Sequence, residues 1–305
     1  MNPKMEVKIG KLKLKNPVMV ASGTWGAEYR DLMDAGSLGA IVLKTITLKK
    51  RTGNPPPRVA EVSSGMLNSI GLENKGIDDF IQNKLPLFDD LKTSVIASFA
   101  GDDEKEFKEL ARRLSKTGRV DALELNLSCP NIRYGVKGQL IAHDEKATYK
   151  TVKAVRSVTN RPVIAKLSPN VTDITSIAKA AEAAGADAVA LTNTFIGMAV
   201  DINTQKPKLG NIIGGLSGPA IKPLSLRTVW QAYKAIAIPI VGIGGIMDYA
   251  DAIEFMLCGA RAVELGTANF VDPAVPAETI KGIERYMKQK NIKDINTLVG
   301  AVRIG

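Results

Sequence analysis

Eight short apolar segments, each followed by a segment with a helical pattern, constrain the fold of this chain most strongly. The apolar segments cover residues 17–21, 39–45, 94–100, 122–127, 162–167, 188–192, 239–243 and 262–265. Nearly continuous apolar runs of this length are typical of parallel strands that are covered on both faces. Eight strand–helix units within 305 residues predict an α/β fold, a (β/α)8 TIM barrel, with residues 1–305 as a single domain. A doubly wound open sheet is the alternative fold.

The segments between the strands complete this prediction. Helices are predicted over residues 28–35, 77–87, 103–117, 144–158, 173–184, 221–235, 248–257 and 276–289. Residues 7–14 alternate apolar side chains with lysines around Gly10, which predicts a short N-terminal β-hairpin. Three connections, 46–74, 132–140 and 195–217, are predicted to be long and irregular, and loops of this length in compact domains are usually functional or disordered.

Composition argues against several classes of protein. No apolar run approaches the roughly 18 residues that span a bilayer, and the lysine-containing N-terminus lacks the apolar stretch of a secretory signal. The two cysteines, Cys129 and Cys258, are far apart and suggest a reducing, cytoplasmic setting, and with one histidine they form no metal-ligand cluster. The net charge is +10, but the lysines are scattered and aromatic residues are only 5%, so no nucleic-acid partner is predicted.

The segment 122–131 ends a strand with a polar loop that contains a cysteine. Its alternating first half predicts the strand, and Pro130 prevents the strand from continuing, since proline has no amide proton to donate. Asn126, Ser128 and Cys129 are therefore delivered to the end of the strand. Cys129 is either a reactive thiol or a small buried hydrophobic residue. Cys258 lies among apolar residues of a helix, where the core interpretation is favoured.

In a parallel barrel the carboxyl ends of all strands meet at one mouth, where active sites are built. The residues predicted to arrive there are Ser22, Lys44, Ser98, Asn126, Cys129, Lys166, Asn193, Thr194, Gly244, Gly245, Gly266 and Thr267. The glycines that follow the seventh and eighth strands indicate a phosphate site, because such barrels hold phosphate there. Ordinary turn glycines are the alternative interpretation.

Two lysines within apolar strands suggest a bound anion or flavin. Lys44 and Lys166 lie near the ends of their strands, and burying an unpaired ammonium is costly. Extension of both side chains to the solvated rim is the alternative. Cations near Cys129 would stabilise its thiolate and suit it to proton abstraction. The single histidine, His143, has no recognisable acid or nucleophile partner and is predicted to be structural or on the surface.

Six motifs, in this order along the chain, resemble the dihydroorotate dehydrogenase family. They are NLSCPN at 126–131, KLSPN at 166–170, TNT at 192–194, GGLSGPAIKP at 214–223, GIGGI at 242–246 and GTA at 266–268. A cysteine in the first motif is similar to the class 1 enzymes, whereas class 2 enzymes have serine there. The motif at 214–223 and the absence of extra domains look most like the class 1B catalytic subunit.

The resemblance implies one FMN per chain and the oxidation of (S)-dihydroorotate to orotate in pyrimidine biosynthesis. Cys129 would take the C5 proton while hydride passes from C6 to flavin N5. The implied substrate residues are Lys44, Asn68, Ser69, Ile70, Gly71, Leu72, Asn126, Asn193 and Thr194. The implied FMN residues are Ser22, Lys44, Thr45, Ser98, Asn126, Lys166, Thr192, Gly218, Gly244, Gly245, Gly266 and Thr267. Ser98 departs from the asparagine expected in many class 1B relatives, and residues 132–140 would close over the substrate.

The resemblance also implies a homodimer that binds a second kind of subunit. In class 1B that partner carries FAD and a 2Fe–2S cluster and passes electrons to NAD, which gives a heterotetramer. This sequence has neither a dinucleotide-binding fingerprint nor cysteines spaced for a cluster. The alternatives are a fumarate-reducing class 1A enzyme, a tRNA-dihydrouridine synthase, or an inert phosphate-binding barrel.

Overall fold

A computed structural model describes residues 2–128 and 140–304 of the chain. The strands of these residues are β1 (Val7–Ile9), β2 (Leu12–Leu14), β3 (Val18–Val20), β4 (Ala40–Ile46), β5 (Val59–Val62), β6 (Gly65–Asn68), β7 (Ser94–Phe99), β8 (Ala122–Asn126), β9 (Val163–Lys166), β10 (Ala188–Leu191), β11 (Phe195–Met198), β12 (Val200–Asp201), β13 (Lys206–Pro207), β14 (Ile213–Ser217), β15 (Ile240–Ile243) and β16 (Ala260–Leu265). The α-helices are α1 (Ile77–Asp79), α2 (Glu104–Leu114), α3 (Glu145–Arg156), α4 (Ile174–Ala183), α5 (Lys222–Tyr233), α6 (Tyr249–Leu257), α7 (Ala268–Val271) and α8 (Val275–Gln289).

Eight parallel strands close into a barrel, in the order β10-β15-β16-β3-β4-β7-β8-β9. Their apolar side chains are almost all buried, because helices cover the outside and the interior is packed with side chains. The predicted (β/α)8 barrel is therefore confirmed, and the open-sheet alternative is wrong. All eight predicted strands lie within two residues of their observed limits.

The helices of the last six units form where they were predicted, for local reasons. In α2, the side chain of Asp103 accepts hydrogen bonds from the backbone amides of Lys105 and Glu106, and the buried residues lie along one face. Asp144, Asp173 and Asp248 cap α3, α4 and α6 in the same way. These aspartates place the beginning of each helix just after the loop that leaves the barrel mouth.

The prediction of regular α-helices is wrong for the first two helical segments. Residues 28–35 form two short 3-10 segments, Ala27–Leu32 and Ala35–Ser37. Residues 77–87 form the single turn α1, then a π-helical turn at Phe80–Lys84 and a 3-10 turn at Leu85–Phe88. Pro86 explains part of the second difference, because it cannot donate the amide hydrogen bond that a continuing helix needs.

The predicted N-terminal hairpin is present as β1 and β2. Its apolar side chains are buried, while Lys8 and Lys13 on the other face are exposed. A Cβ atom on Gly10 would lie only 2.7 Å from Cβ of Asp187, the residue that precedes β10. The hairpin therefore packs against the amino-terminal end of the barrel, opposite the mouth.

Two of the connections that were predicted to be irregular contain a second sheet, so this part of the prediction is wrong. Strands from 46–74 and from 195–217 form a four-stranded antiparallel sheet in the order β11-β14-β6-β5, and β12 pairs with β13 in a separate hairpin. The pairing places Asn68 opposite Gly215. This sheet brings residues from distant parts of the sequence to one side of the barrel mouth. Residues 132–139 lie outside the described residues.

Candidate active site

A cavity of about 310 Å³ opens at the carboxyl ends of the barrel strands, and we call it the mouth cavity. Its wall combines strand ends of the barrel with residues of β6 and β14 from the second sheet. Most of the predicted site residues line it: Ser22, Lys44, Thr45, Asn68, Ile70, Gly71, Leu72, Asn126, Lys166, Thr192, Asn193, Thr194, Gly218, Gly244, Gly245, Gly266 and Thr267. Cys129 lies outside the described residues.

Ser98 lies behind the cavity wall in a chain of hydroxyl groups. Thr45 Oγ1 lies 2.9 Å from Ser98 Oγ and 3.0 Å from Ser22 Oγ, and the Asn126 side-chain amide donates to Thr45 Oγ1 at 3.2 Å. Ser98 is buried and does not line the mouth cavity. Its short side chain therefore supports Thr45, which does line the cavity.

Ser69 also lies behind the wall, where it anchors the segment 70–72. The side-chain amide of Asn54 donates to Ser69 Oγ at 2.9 Å, and Ser69 is completely buried. A second bond joins the Ser69 amide to the carbonyl oxygen of Arg58 at 2.7 Å. These bonds hold the segment through which Ile70 and Leu72 reach the cavity.

Two amide side chains that line the cavity, Asn193 and Asn68, form hydrogen bonds with other segments of the site. Asn193 Nδ2 donates to Ser128 Oγ at 3.0 Å and to the Ser128 carbonyl oxygen at 3.1 Å. Asn193 Oδ1 accepts a hydrogen bond from the Thr194 amide at 2.8 Å, and Asn68 Nδ2 contacts the Gly215 carbonyl oxygen at 3.5 Å. The bonds of Asn193 to Ser128 therefore tie the segment after β10 to the loop after β8, and the contact of Asn68 with Gly215 joins β6 to β14.

The glycine corner of the mouth cavity, formed by Gly244 and Gly245 with Gly218, Gly266 and Thr267, has little room for side chains. The backbone φ angles of Gly244 and Gly245 are +124° and +80°, which favour glycine. A Cβ atom would lie 2.2 Å from Ser225 Oγ at the first position and 2.8 Å from the Lys222 backbone nitrogen at the second. Exposed backbone at such a corner can approach a phosphate closely.

Lys44 is exposed to the mouth cavity rather than paired within the wall. Desolvation by the cavity walls lowers the pKa of the Lys44 ammonium below its ordinary value. The negative charges of Glu73 and Glu28 oppose this shift, while the positive charge of Arg58 adds to it. Lys44 is thus a cation positioned to meet an anion that enters the cavity.

Lys166 lies in the floor of the cavity, between two buried carboxyl groups. Its Nζ is 3.3 Å from Glu264 Oε2 and 3.6 Å from Glu124 Oε1. Burial alone would lower the pKa of Lys166, but the two glutamates outweigh it and raise the pKa. The alternative of a solvated rim position is wrong for this lysine, which is 6% exposed, and its ammonium remains charged.

Sequence reasoning missed several contributors to the site. Met66, Ser217 and Phe270 line the cavity, and the two glutamates lie beneath it. The glutamates did carry a signal, because an acidic residue within an otherwise apolar strand is expensive to bury without a partner. Met66 carried none, since it reaches the cavity only through the second sheet.

The two remaining candidate residues lie away from the cavity. His143 Nε2 is 3.3 Å from Ser168 Oγ, and partial burial lowers the pKa of His143. Cys258 is half-buried at the end of α6, where it packs against the core, and burial raises the pKa of its thiol. Among the residues of the two described ranges, no three potential metal-ligating side chains converge. None of the helices there is long and apolar enough to cross a bilayer.

The sequence matches known proteins over almost its whole length. The sequence model of dihydroorotate dehydrogenase matches residues 4–287. The catalytic subunit of dihydroorotate dehydrogenase B (NAD(+)) from Desulforamulus reducens is 51% identical over 302 residues, which cover 98% of this chain and 99% of the relative. The subunit of the same name from Caldicellulosiruptor bescii is 50% identical, also over 302 residues and with the same coverage.

A solved structure agrees with the fold. Dihydroorotate dehydrogenase from Eimeria tenella, in complex with ferulenol, superimposes with a TM-score of 0.80 at 24% identity and covers 98% of this chain and 89% of its own. At that identity the likeness supports the fold alone. The resemblance that the six motifs indicated is confirmed, and the names of the full-length relatives agree with class 1B rather than class 1A. This chain belongs to the dihydroorotate dehydrogenase family.

Proposed function

We propose that this chain is the catalytic subunit of a class 1B dihydroorotate dehydrogenase, with residues 1–305 as a single FMN-binding domain. It oxidises (S)-dihydroorotate to orotate in de novo pyrimidine biosynthesis, in the cytoplasm. The observation that carries this proposal is the mouth cavity, whose lining combines amide side chains and Lys44 with the glycine corner. Such a cavity suits a small planar anion beside a phosphate-bearing cofactor.

The residues of the cavity fit FMN. The glycine corner leaves the backbone open to a phosphate, since a Cβ atom at Gly244 or Gly245 would collide with neighbouring atoms. Lys166 offers a buried cation at the floor, where the family resemblance implies the N1–O2 edge of the flavin. Ser22 and Thr45 add hydroxyl groups on the same wall. FMN, when bound, supplies the acceptor for the hydride that leaves C6 of the substrate.

The amide side chains and Lys44 of the cavity fit dihydroorotate, which carries a carboxylate and ring amide groups. Lys44 supplies a cation for the carboxylate, while Asn68, Asn126, Asn193 and Thr194 supply donors and acceptors for the ring. Side chains that are held by their own hydrogen bonds lose little freedom when the substrate binds. These side chains therefore fix the orientation of the substrate before the reaction begins.

Proton removal is assigned to Cys129, which directly follows the buried residue Ser128. Because the Asn193 side chain donates hydrogen bonds to Ser128, the position of the residue that precedes Cys129 is fixed. We propose that the thiolate of Cys129 takes the C5 proton and that residues 132–140 close over the bound substrate. Ser69 and Ser98 then act by supporting the two walls, since both lie behind the lining.

The first test is an anaerobic visible spectrum of the purified chain before and after dihydroorotate is added. A yellow protein that bleaches supports the proposal, because flavin is then present and reduced by this substrate. A colourless protein that cannot be reconstituted with FMN contradicts it and favours the inert phosphate-binding barrel. A yellow protein that does not bleach contradicts the substrate assignment, and binding of tRNA would then favour the dihydrouridine synthase.

We further propose a homodimer that binds an electron-transfer subunit with FAD and a 2Fe–2S cluster, giving a heterotetramer that reduces NAD. The relatives named above are called catalytic subunits, which supports a partner. Exposed apolar side chains on the second sheet, including Ile196, Met198 and Ile213, support contact with further chains. Co-purification with a flavin–iron–sulfur subunit is the expected result. A lone chain that reduces fumarate rapidly would favour class 1A.

A further inference from the structure

Three charged side chains meet inside the barrel, and we call them the floor cluster: Glu124, Lys166 and Glu264. They lie on β8, β9 and β16, and both glutamates are completely buried. Lys166 lines the mouth cavity, whereas the glutamates lie beneath the lining. The two glutamates are therefore shielded from solvent beneath the cavity that Lys166 lines.

The charges of the floor cluster do not balance if both carboxyl groups are ionised. One ammonium would face two carboxylates, and an excess buried charge is costly. Neither oxygen of Glu124 accepts a hydrogen bond from the described residues, and nor does Glu264 Oε1. Glu264 Oε2 and Glu124 Oε1 lie 3.3 Å and 3.6 Å from the same Lys166 Nζ, so the two carboxyl groups share one buried site. A single proton would supply the missing donor and neutralise the cluster.

No other titratable side chain of the described barrel strands supplies that balance, and Arg261, the other ionisable residue of β16, donates instead to Asn296 Oδ1 at 3.2 Å. Strands β3, β7, β10 and β15 carry no ionisable residue, and the ammonium of Lys44, on β4, faces the mouth cavity. Burial and the charge of Glu124 raise the pKa of Glu264 to about 8, against the opposing effect of Lys166. This direction agrees with the geometry, in which like charges share a buried site.

We propose that Glu124 and Glu264 share one proton beneath the mouth cavity, and that loss of this proton makes reduction of the bound flavin less favourable. Glu264 is then a positioning residue that acts through Lys166. The second half of the proposal rests on the proposed function, while the first concerns the protein alone. Reduction brings negative charge to the cavity, so an additional negative charge below Lys166 opposes it. Reduction therefore favours the protonated cluster.

The first experiment detects the proton in FMN-free protein. We expect the infrared carbonyl band of a buried protonated carboxyl group at pH 7, which disappears as the pH rises through about 8. Glu264→Gln and Glu124→Gln should each remove the band, because one carboxylate then pairs with Lys166. Glu254→Gln, which changes a carboxyl group on the surface of α6, should retain it. Absence of the band from the wild type at pH 7 would overturn the proposal.

The second experiment measures the midpoint potential of the FMN-loaded protein against pH. Each proton that is taken up together with the two electrons adds about 30 mV per pH unit to the slope of the couple, since a tenfold change in equilibrium constant corresponds to that shift. We expect this extra slope above about pH 8 in the wild type and in Glu254→Gln. The extra slope should be absent from Glu264→Gln and from Glu124→Gln. The second variant keeps the test decisive if the first does not fold.

The two experiments separate the possible failures. Equal slopes in the wild type and both cluster variants, with the infrared band present, would overturn the link to the flavin and leave the shared proton standing. A protein that binds no FMN would contradict the proposed function, but the infrared titration would still decide whether the carboxyl groups share a proton.

Discussion

Asn193 Nδ2 lies 3.0 Å from Ser128 Oγ and 3.1 Å from the Ser128 carbonyl oxygen, so the end of β10 holds the chain just before Cys129. Asn193 also lines the mouth cavity, and one side chain therefore contacts both the cavity and the segment that carries the proposed base. This double role makes it the most informative amide of the wall to change.

We expect Asn193→Ala to lower kcat/KM for dihydroorotate by roughly tenfold to a hundredfold, because losing buried hydrogen bonds costs about 1–3 kcal/mol. Both a higher KM and a lower kcat should contribute, while FMN content stays normal. Asn211→Ala is the matched control, since Asn211 is exposed and outside the cavity lining. Equal kinetics in the two variants would show that the anchoring bond has no catalytic consequence.

Cys129→Ala should retain FMN but slow its reduction by dihydroorotate roughly 10²–10⁴-fold, because only the proton acceptor is lost. Cys129→Ser should also be slow, since a serine hydroxyl is much harder to deprotonate than a thiol. Anaerobic stopped-flow absorbance of the flavin measures both rates. Cys258→Ala is the control and should react at the wild-type rate, because Cys258 packs against the core at the end of α6.

Gly245→Ala should weaken FMN binding roughly tenfold to a hundredfold. The new Cβ would lie 2.8 Å from the Lys222 backbone nitrogen at a φ of +80°, and crowding with backbone strain costs about 1–3 kcal/mol. Quenching of FMN fluorescence on titration with apoprotein gives the Kd. Gly118→Ala is the control, because its Cβ would meet no atom within 4 Å. Unchanged FMN affinity in Gly245→Ala would remove the glycine corner from the cofactor site.

Much of the site could be predicted because a parallel barrel places polar strand ends at one mouth. An apolar run ends at or near each of Lys44, Asn126 and Lys166. The position of each residue at the mouth therefore follows from its own strand, without reference to neighbouring strands. Whether a side chain lines the cavity or lies behind its wall could not be predicted in this way. Ser98 hydrogen-bonds to Thr45 on the adjacent strand and does not itself reach the cavity.

The second sheet could not be predicted, because its pairing is not local. Asn68 lies opposite Gly215, 147 residues further along the chain, and the glycines and prolines of both segments are typical of loops. Glu124 and Glu264 show the same limit, since each is an isolated acidic residue until the closed barrel brings both to Lys166. Only contacts between distant segments give these residues their roles.

Substrate binding should weaken in alkaline solution because of Lys44. Desolvation lowers the pKa of the Lys44 ammonium, so the cation is present below that lowered pKa and is lost as the pH rises through it. We expect KM for the anionic substrate to rise on the alkaline side, before an ordinary lysine would titrate. Lys44→Met should raise KM at neutral pH and abolish this rise, whereas Lys8→Met, on the exposed face of the hairpin at the opposite end of the barrel, should behave as the wild type. Measurement of KM against pH for the three proteins decides the matter, and an alkaline rise that persists in Lys44→Met would assign it to another group.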